Sequence, residues 1–251
     1  RSNNYYRKIE RKNIMKTTLH KADTRGKADH GWLNSHHTFS FASYHNPERV
    51  KFGLLRVLND DIVQPGEGFG THPHDNMEII SIPLKGALAH KDSTGNEHVI
   101  NTGDVQIMSA GSGLYHSEYN ASKKDAVNFL QIWVFPKERD IEPRYDQKTY
   151  NAEDRKNKFQ LVISPEKNEG SLWINQDSYF SLADLDKKTN IKYDIKKSGN
   201  GVYLFLLEGS INAGGILLNK RDGLGIEDTD SIEITAEENS QLLVIEVPMK
   251  I

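Results

Sequence analysis

The chain has 251 residues, a formal net charge of −3 and no cysteine. That length supports one large or two ordinary domains with a sizeable core. The charge leaves no basic surplus for nucleic-acid phosphates or a membrane surface, and the lack of thiols excludes disulfide scaffolds, thiolate zinc sites, iron–sulfur clusters and cysteine nucleophiles.

Residues 1–14 are polar and basic without an apolar core, so a secretory signal is not expected in them. They are expected to be a disordered or appended leader ahead of Met15; the competing reading is a basic interaction arm. From there, strand-like runs dominate: 52–60, 76–84, 104–110, 128–136, 201–209 and 241–248. Gly, Asn, Asp and Ser clusters separate them (STGN at 93–96, GSG at 111–113, SGNG at 198–201), which is the punctuation of an all-β sandwich or barrel. Helical periodicity is scarce, and 179–188 is at most a short helical or turn segment. No apolar run reaches membrane-spanning length. A cysteine-free chain suits a reducing compartment, and a cytoplasmic location is expected.

An internal repeat is visible. SIPLKG (81–86), TGDVQIM (102–108) and FLQIWVFP (129–136) reappear in order as LFLLEG (204–209), RDGLGIE (221–227) and LLVIEVP (242–248). Two tandem barrels are therefore expected, an N-terminal one over 15–140 and a C-terminal one over 141–251. All ten histidines lie at or before His116. Counting back from the repeat glycines, His72 and His74 align with Ile195 and Lys197, so metal chemistry is expected in the first barrel alone.

The most specific feature is a double pair, His72-Pro73-His74 and His116-Ser117-Glu118. Residues two apart on a strand share a side, so facing strands would gather three imidazoles and one carboxylate around a point. That donor set suits a divalent first-row transition metal: iron, manganese, nickel, copper or zinc. Pro73 marks an edge or bulge rather than a central strand. Protons compete for free imidazoles below a pKa of about 6.5, so metal loss is expected between about pH 7 and about pH 5.

Gly66-x5-His72-x-His74-x3-Glu78 followed by Gly86, then Gly103 and Gly113-x2-His116-x3-Asn120, resembles the cupin superfamily. Seven residues rather than six separate Glu78 from Gly86, and Ser109-Ala110-Gly111 lacks the usual proline. Glu118, together with the stretches 25–44, FGTHPHDNMEII and QIMSAGSGLYHSEYN, narrows the resemblance to the pirin family, from about Met15 onward. The resemblance implies a bicupin of two jelly-roll barrels whose ligands are His72, His74, His116 and Glu118, with Glu78 outside the ligand set. It further implies a dioxygenase, similar to bacterial quercetin 2,3-dioxygenases, that opens the heterocycle of a flavonol with O2 and releases CO. Fe(II) is the leading metal and Glu118 the proton acceptor. The alternative it implies is a non-catalytic, metal- and redox-responsive cofactor that binds a protein partner. A sugar isomerase is disfavoured, since no basic cluster for a sugar phosphate stands out.

Around this centre, Glu78 is expected either to orient a ligand imidazole or to serve in packing, and Gln131 to face the pocket or the core. Phe52, Phe69 and Met77 are candidate pocket walls. His30, His36, His37 and His45 are expected to make structural hydrogen bonds, His90 and His98 to be solvated beside a hairpin, and Asp60, Asp61 and Glu67 to be solvated acids.

Overall fold

The computed structural model describes residues 15–168 and 170–250; the expected leader at 1–14 lies outside them. In chain order the first strands are β1 (Lys16–His20), β2 (Gly26–Asp29), β3 (Leu33–His37), β4 (Leu55–Val63), β5 (Gly68–His74), β6 (Glu78–Lys85), β7 (Ala87–Asp92) and β8 (Glu97–Asn101). There follow β9 (Asp104–Ser109), β10 (Leu114–Asn120), β11 (Val127–Val134), β12 (Arg144–Thr149), β13 (Gln160–Ser164), β14 (Leu172–Trp173) and β15 (Tyr179–Leu185). The last are β16 (Asn190–Asp194), β17 (Asn200–Glu208), β18 (Ser210–Ala213), β19 (Ile216–Asn219), β20 (Gly223–Glu227), β21 (Ser231–Ala236) and β22 (Ser240–Pro248). The segment read as helix or turn at 179–188 is mostly strand β15, whose alternation is hidden because both of its faces are buried. Among the described residues, no helix is long and apolar enough to cross a membrane.

The strands form two barrels of the same design. In the first, a seven-stranded sheet ordered β12-β9-β6-β11-β4-β3-β2 packs on a four-stranded sheet ordered β5-β10-β7-β8. In the second, β1-β20-β17-β22-β15-β13-β14 packs on β16-β21-β18-β19. The repeat seen in the sequence is thus a repeat of sheet order, and its glycines Gly86 and Gly209 share a positive φ (81° and 87°), a conformation that glycine adopts without steric cost.

One core joins the barrels. Leu58, Ile80, Ile107 and Leu130 of the first large sheet interleave with Phe180, Tyr203, Phe205 and Leu243 of the second. Each large sheet is therefore buried on both faces, which explains why β6, β11, β17 and β22 are rich in hydrophobic residues without a period-two alternation. Phe52 belongs to this seam. Its ring lies 5.5 Å from that of Tyr203, and a Cβ on Gly201 or Gly225 would fall 3.0 or 2.6 Å from it. Its expected place as a pocket wall is corrected, because the seam offered a large apolar side chain a drier position.

The expected division at 140/141 also changes. β12 pairs with β9 and completes the first barrel, while β1 pairs with β20 and completes the second. The two strands occupy the same place in their sheet orders, so each barrel takes one edge strand from the other half of the chain.

Candidate metal centre

The cluster is built on β5 and β10. His116 pairs with His72, but Glu118 pairs with Phe69, so β5 carries one extra residue between them. This bulge re-aims the strand. It falls at 70–71, below Pro73, and Pro73 itself sits on the edge strand, where a missing N–H breaks no ladder. Gly68 permits the close approach: a Cβ there would lie 2.4 Å from the Glu118 carbonyl oxygen and 2.5 Å from Tyr119 Cα.

Three rings converge. Centroids are 4.9 Å apart for His72 and His74, 4.4 Å for His72 and His116, and 4.8 Å for His74 and His116. His72 Nδ1 donates to the Gly70 carbonyl at 2.7 Å, which leaves Nε2 as the free lone pair, and that atom lies 2.9 Å from His116 Nε2. His74 Nε2 is buried without a hydrogen-bond partner. Two neutral acceptor nitrogens at that separation repel unless a proton or a cation lies between them. Metal–imidazole bonds of about 2.0–2.1 Å put adjacent ligand nitrogens about 3 Å apart at a right angle, so the residues fit a divalent ion. Glu118 Oε2 is 3.9 Å from His116 Nε2.

Burial holds His74 neutral, down to about 4, with His116 and His72 adding to the effect. Burial likewise takes His116 down to about 4, against the opposing pull of Glu118. Both rings keep their lone pairs at neutral pH. For Glu118, burial works to raise the pKa, but His116 and the donors around it win and hold it below the ordinary carboxylate range. Those donors are Gln131 Nε2, at 3.2 and 3.0 Å from the two oxygens, and Ser81 Oγ at 3.1 Å. An unpaired buried carboxylate costs several kcal/mol; here it is an ionised candidate ligand held in orientation by those donors.

Gln131 thus faces the cluster. Trp133 meets His74 edge-on at 5.1 Å, and both Trp133 and Met77 pack against the small apolar group of Ile79, Met108, Ala110 and Leu114. Phe69 lies opposite Glu118 across the strand pair and rests edge-on against Trp32 at 5.3 Å. Glu78 does not orient an imidazole. It accepts from Ser109 Oγ at 2.9 Å and from the Asn175 amide at 3.1 Å, tying one barrel to the other, and burial pushes it up to about 7.

Several expectations about polar residues change. Asp60 and Asp61 are buried mid-strand rather than solvated: Asp60 pairs with Arg25 at 3.1 Å, and Asp61 accepts from Ser35 and is pushed up to about 7 by burial. His37 packs against Phe41 with its Nδ1 unpartnered, rather than hydrogen bonding. His98 is exposed, with its ring stacked on Tyr145. His90 is not solvated but 1% exposed, and its Nε2 lies 2.9 Å from Asp92 Oδ2. Burial works to raise Asp92, but His90, Thr94 and Asn96 hydrogen bonds bring it to about 2. The signal that was missed is the alternation Leu88-x-His90-x-Asp92, which puts all three side chains on the inner face of β7.

The second barrel closes the equivalent place with its own side chain. Trp133 pairs with Ile79 and Glu246 with Val202, each seven residues before its turn glycine. Glu246 is fully buried and accepts from Tyr193 Oη (2.9 Å), the amides of Lys196 and Lys197 (3.0 and 2.9 Å) and Asn200 Nδ2 (3.0 Å). The segment that carries imidazoles in the first barrel is here pinned to a carboxylate.

Fold and site together define a bicupin with a three-histidine, one-glutamate cluster in its first barrel. Residues 18–134 match the Pirin family model and 161–247 the quercetinase C-terminal cupin domain. The chain belongs to the pirin family. It is 42% identical over 230 residues to a quercetin 2,3-dioxygenase of Escherichia coli K12, covering 92% of this chain and 98% of that one. A putative quercetin 2,3-dioxygenase of Pseudomonas aeruginosa is 40% identical, with 90% and 97% covered. The crystal structure of the E. coli bacterial pirin YhhW in complex with nickel(II) superposes with a TM-score of 0.88 at 40% identity, covering 93% of this chain and 99% of that chain.

Proposed function

We propose that this protein is a metal-dependent dioxygenase that opens the heterocycle of a flavonol such as quercetin, consuming O2 and releasing CO. The reading is carried by one observation: three imidazole nitrogens gather where His72 Nε2 and His116 Nε2 are 2.9 Å apart, and the buried, ionised Glu118 carboxylate adjoins them through His116, 3.9 Å from its Nε2. The names of the E. coli and P. aeruginosa relatives support the substrate class. His72, His74, His116 and Glu118 are the residues that would hold the metal, with Fe(II) the first choice and Mn, Ni, Cu or Zn as competitors. A bound metal supplies a Lewis-acidic position that lowers the pKa of a coordinated hydroxyl. Glu118, kept ionised, takes the proton from the flavonol 3-hydroxyl. Gln131 and Ser81 hold that carboxylate in place as its charge changes. Met77, Trp133 and Phe69 supply apolar surface for a flat aromatic ligand.

The test is anaerobic loading with each metal, addition of quercetin, then oxygen, with O2 uptake, CO and the ring-opened ester measured. Turnover is expected with at least one metal, and His72→Ala is expected to abolish it. Glu118→Gln should lower it about 10²- to 10⁴-fold, the range for losing a positioned base. No product with any of the five metals would favour the protein-binding alternative. That alternative draws on Tyr115 and Tyr119, which are 56% and 41% exposed and alternate with the candidate ligands on β10.

A further inference from the structure

His116 carries a second ring nitrogen, Nδ1, which is buried and has no hydrogen-bond partner. With a metal ion held at Nε2, the ring proton resides on Nδ1, and a buried N–H without an acceptor is unfavourable. Behind it stands His90, whose ring centroid is 5.4 Å away. One ring nitrogen of His90 lies within 4.8 Å of both a His116 nitrogen and a Glu118 oxygen. Asp92 accepts from His90 Nε2, so the His90 proton resides there and Nδ1 is left as an acceptor; that atom, too, is buried and unpartnered. Asp92 is in turn fixed by the Thr94 amide and hydroxyl, at 2.9 and 2.6 Å, and by the Asn96 side chain. The inner face of β7 thus presents one buried acceptor, and the inner face of β10 one buried donor, with complementary tautomers.

We propose that His90, anchored by Asp92, is a positioning residue for the metal centre: it takes up the Nδ1 hydrogen of His116 and so fixes that ligand's tautomer and ring orientation. The inference rests on reading the histidine–glutamate cluster as a metal site. Ligating histidines generally donate their outer N–H to such a partner, and losing the partner costs about 10- to 100-fold in metal affinity. The resulting chain, Asp92 to His90 to His116 to metal, runs across two neighbouring strands of the small sheet.

Two measurements test it, neither of which depends on turnover. In the first, Zn(II)-loaded wild-type protein is studied by long-range proton–nitrogen NMR of its histidine rings. His116 is expected to carry its proton on Nδ1, and His90 on Nε2; a proton on His90 Nδ1 overturns the proposal. In the second, Co(II) affinity and the visible Co(II) spectrum are compared among wild type, His90→Leu and His90→Gln. His90→Leu is expected to bind about 10- to 100-fold more weakly with an altered spectrum. The Gln variant, whose amide oxygen is an acceptor, should recover most of the affinity. Wild-type affinity and spectrum in His90→Leu overturn the proposal while leaving the metal centre intact. A wild type that binds neither Zn(II) nor Co(II) overturns the metal-centre reading itself. Should His90→Leu fail to fold, the tautomers of the wild type decide.

Discussion

Burial changes how the two inward-facing histidines compete for protons. A neutral imidazole is a ligand and a protonated one is not, so metal is lost as pH falls through the pKa. His74 and His116 are taken down to about 4, well below the value for a free side chain. The metal loss expected between about pH 7 and about pH 5 therefore moves lower. Dialysis of the Ni(II)-loaded protein into a pH series should show retention at about pH 5.5 and release as pH approaches about 4. Half-release near pH 6.5 would mean that these rings are not desolvated. The four candidate ligands were legible because each pair is adjacent in sequence and its spacing matches a strand. His90 and Asp92 were not. Their spacing is the same, but a turn follows, and nothing local distinguishes a hairpin flank from the wall of a barrel. Their burial comes from β10, which lies some 25 residues further along the chain and contributes no local signal.

Strands buried on one face announced themselves, and those buried on both were harder to bound. β10 alternates between buried residues and exposed or half-buried ones along its whole length, whereas β15 is buried almost throughout and lost its period-two signature. The bulge in β5 was anticipated from Pro73 but lies two to three residues earlier, at Gly70 and Thr71, because the register is set by Gly68 meeting β10. That dependence has a measurable consequence. In Gly68→Val, the Cβ would meet backbone atoms at 2.4 and 2.5 Å, and backbone cannot turn aside as a side chain can. The edge strand is expected to lift from β10. A chelator competition should show metal affinity reduced about tenfold or more, while far-UV circular dichroism stays near that of the wild type. Unchanged affinity would show that β5 seats its histidines without help from that contact.

Both barrels stand or fall together. Their large sheets share one apolar core, and Glu78, with its bond to the Asn175 amide, crosses between them. Truncating a large buried aromatic residue such as Phe52 costs about 3–5 kcal/mol, and here that cost falls on the joint rather than on either unit. Calorimetry should therefore give one unfolding transition, with calorimetric and van't Hoff enthalpies in agreement. Two separated peaks would contradict a shared core. The tandem design was readable from three matching segments, whereas the partition of edge strands was not, since β1 and β12 are short, mostly polar and carry no mark of which sheet they join.

That partition bears on how the chain is made. During translation, every described strand of the first barrel has emerged once Thr149 clears the ribosome, so those strands can pair early, but the apolar face of their large sheet stays uncovered until the second barrel is made. The earliest described strand, Lys16–His20, faces the opposite situation: its seat beside Gly223–Glu227 does not yet exist, and it must wait for that partner through nearly the whole of elongation.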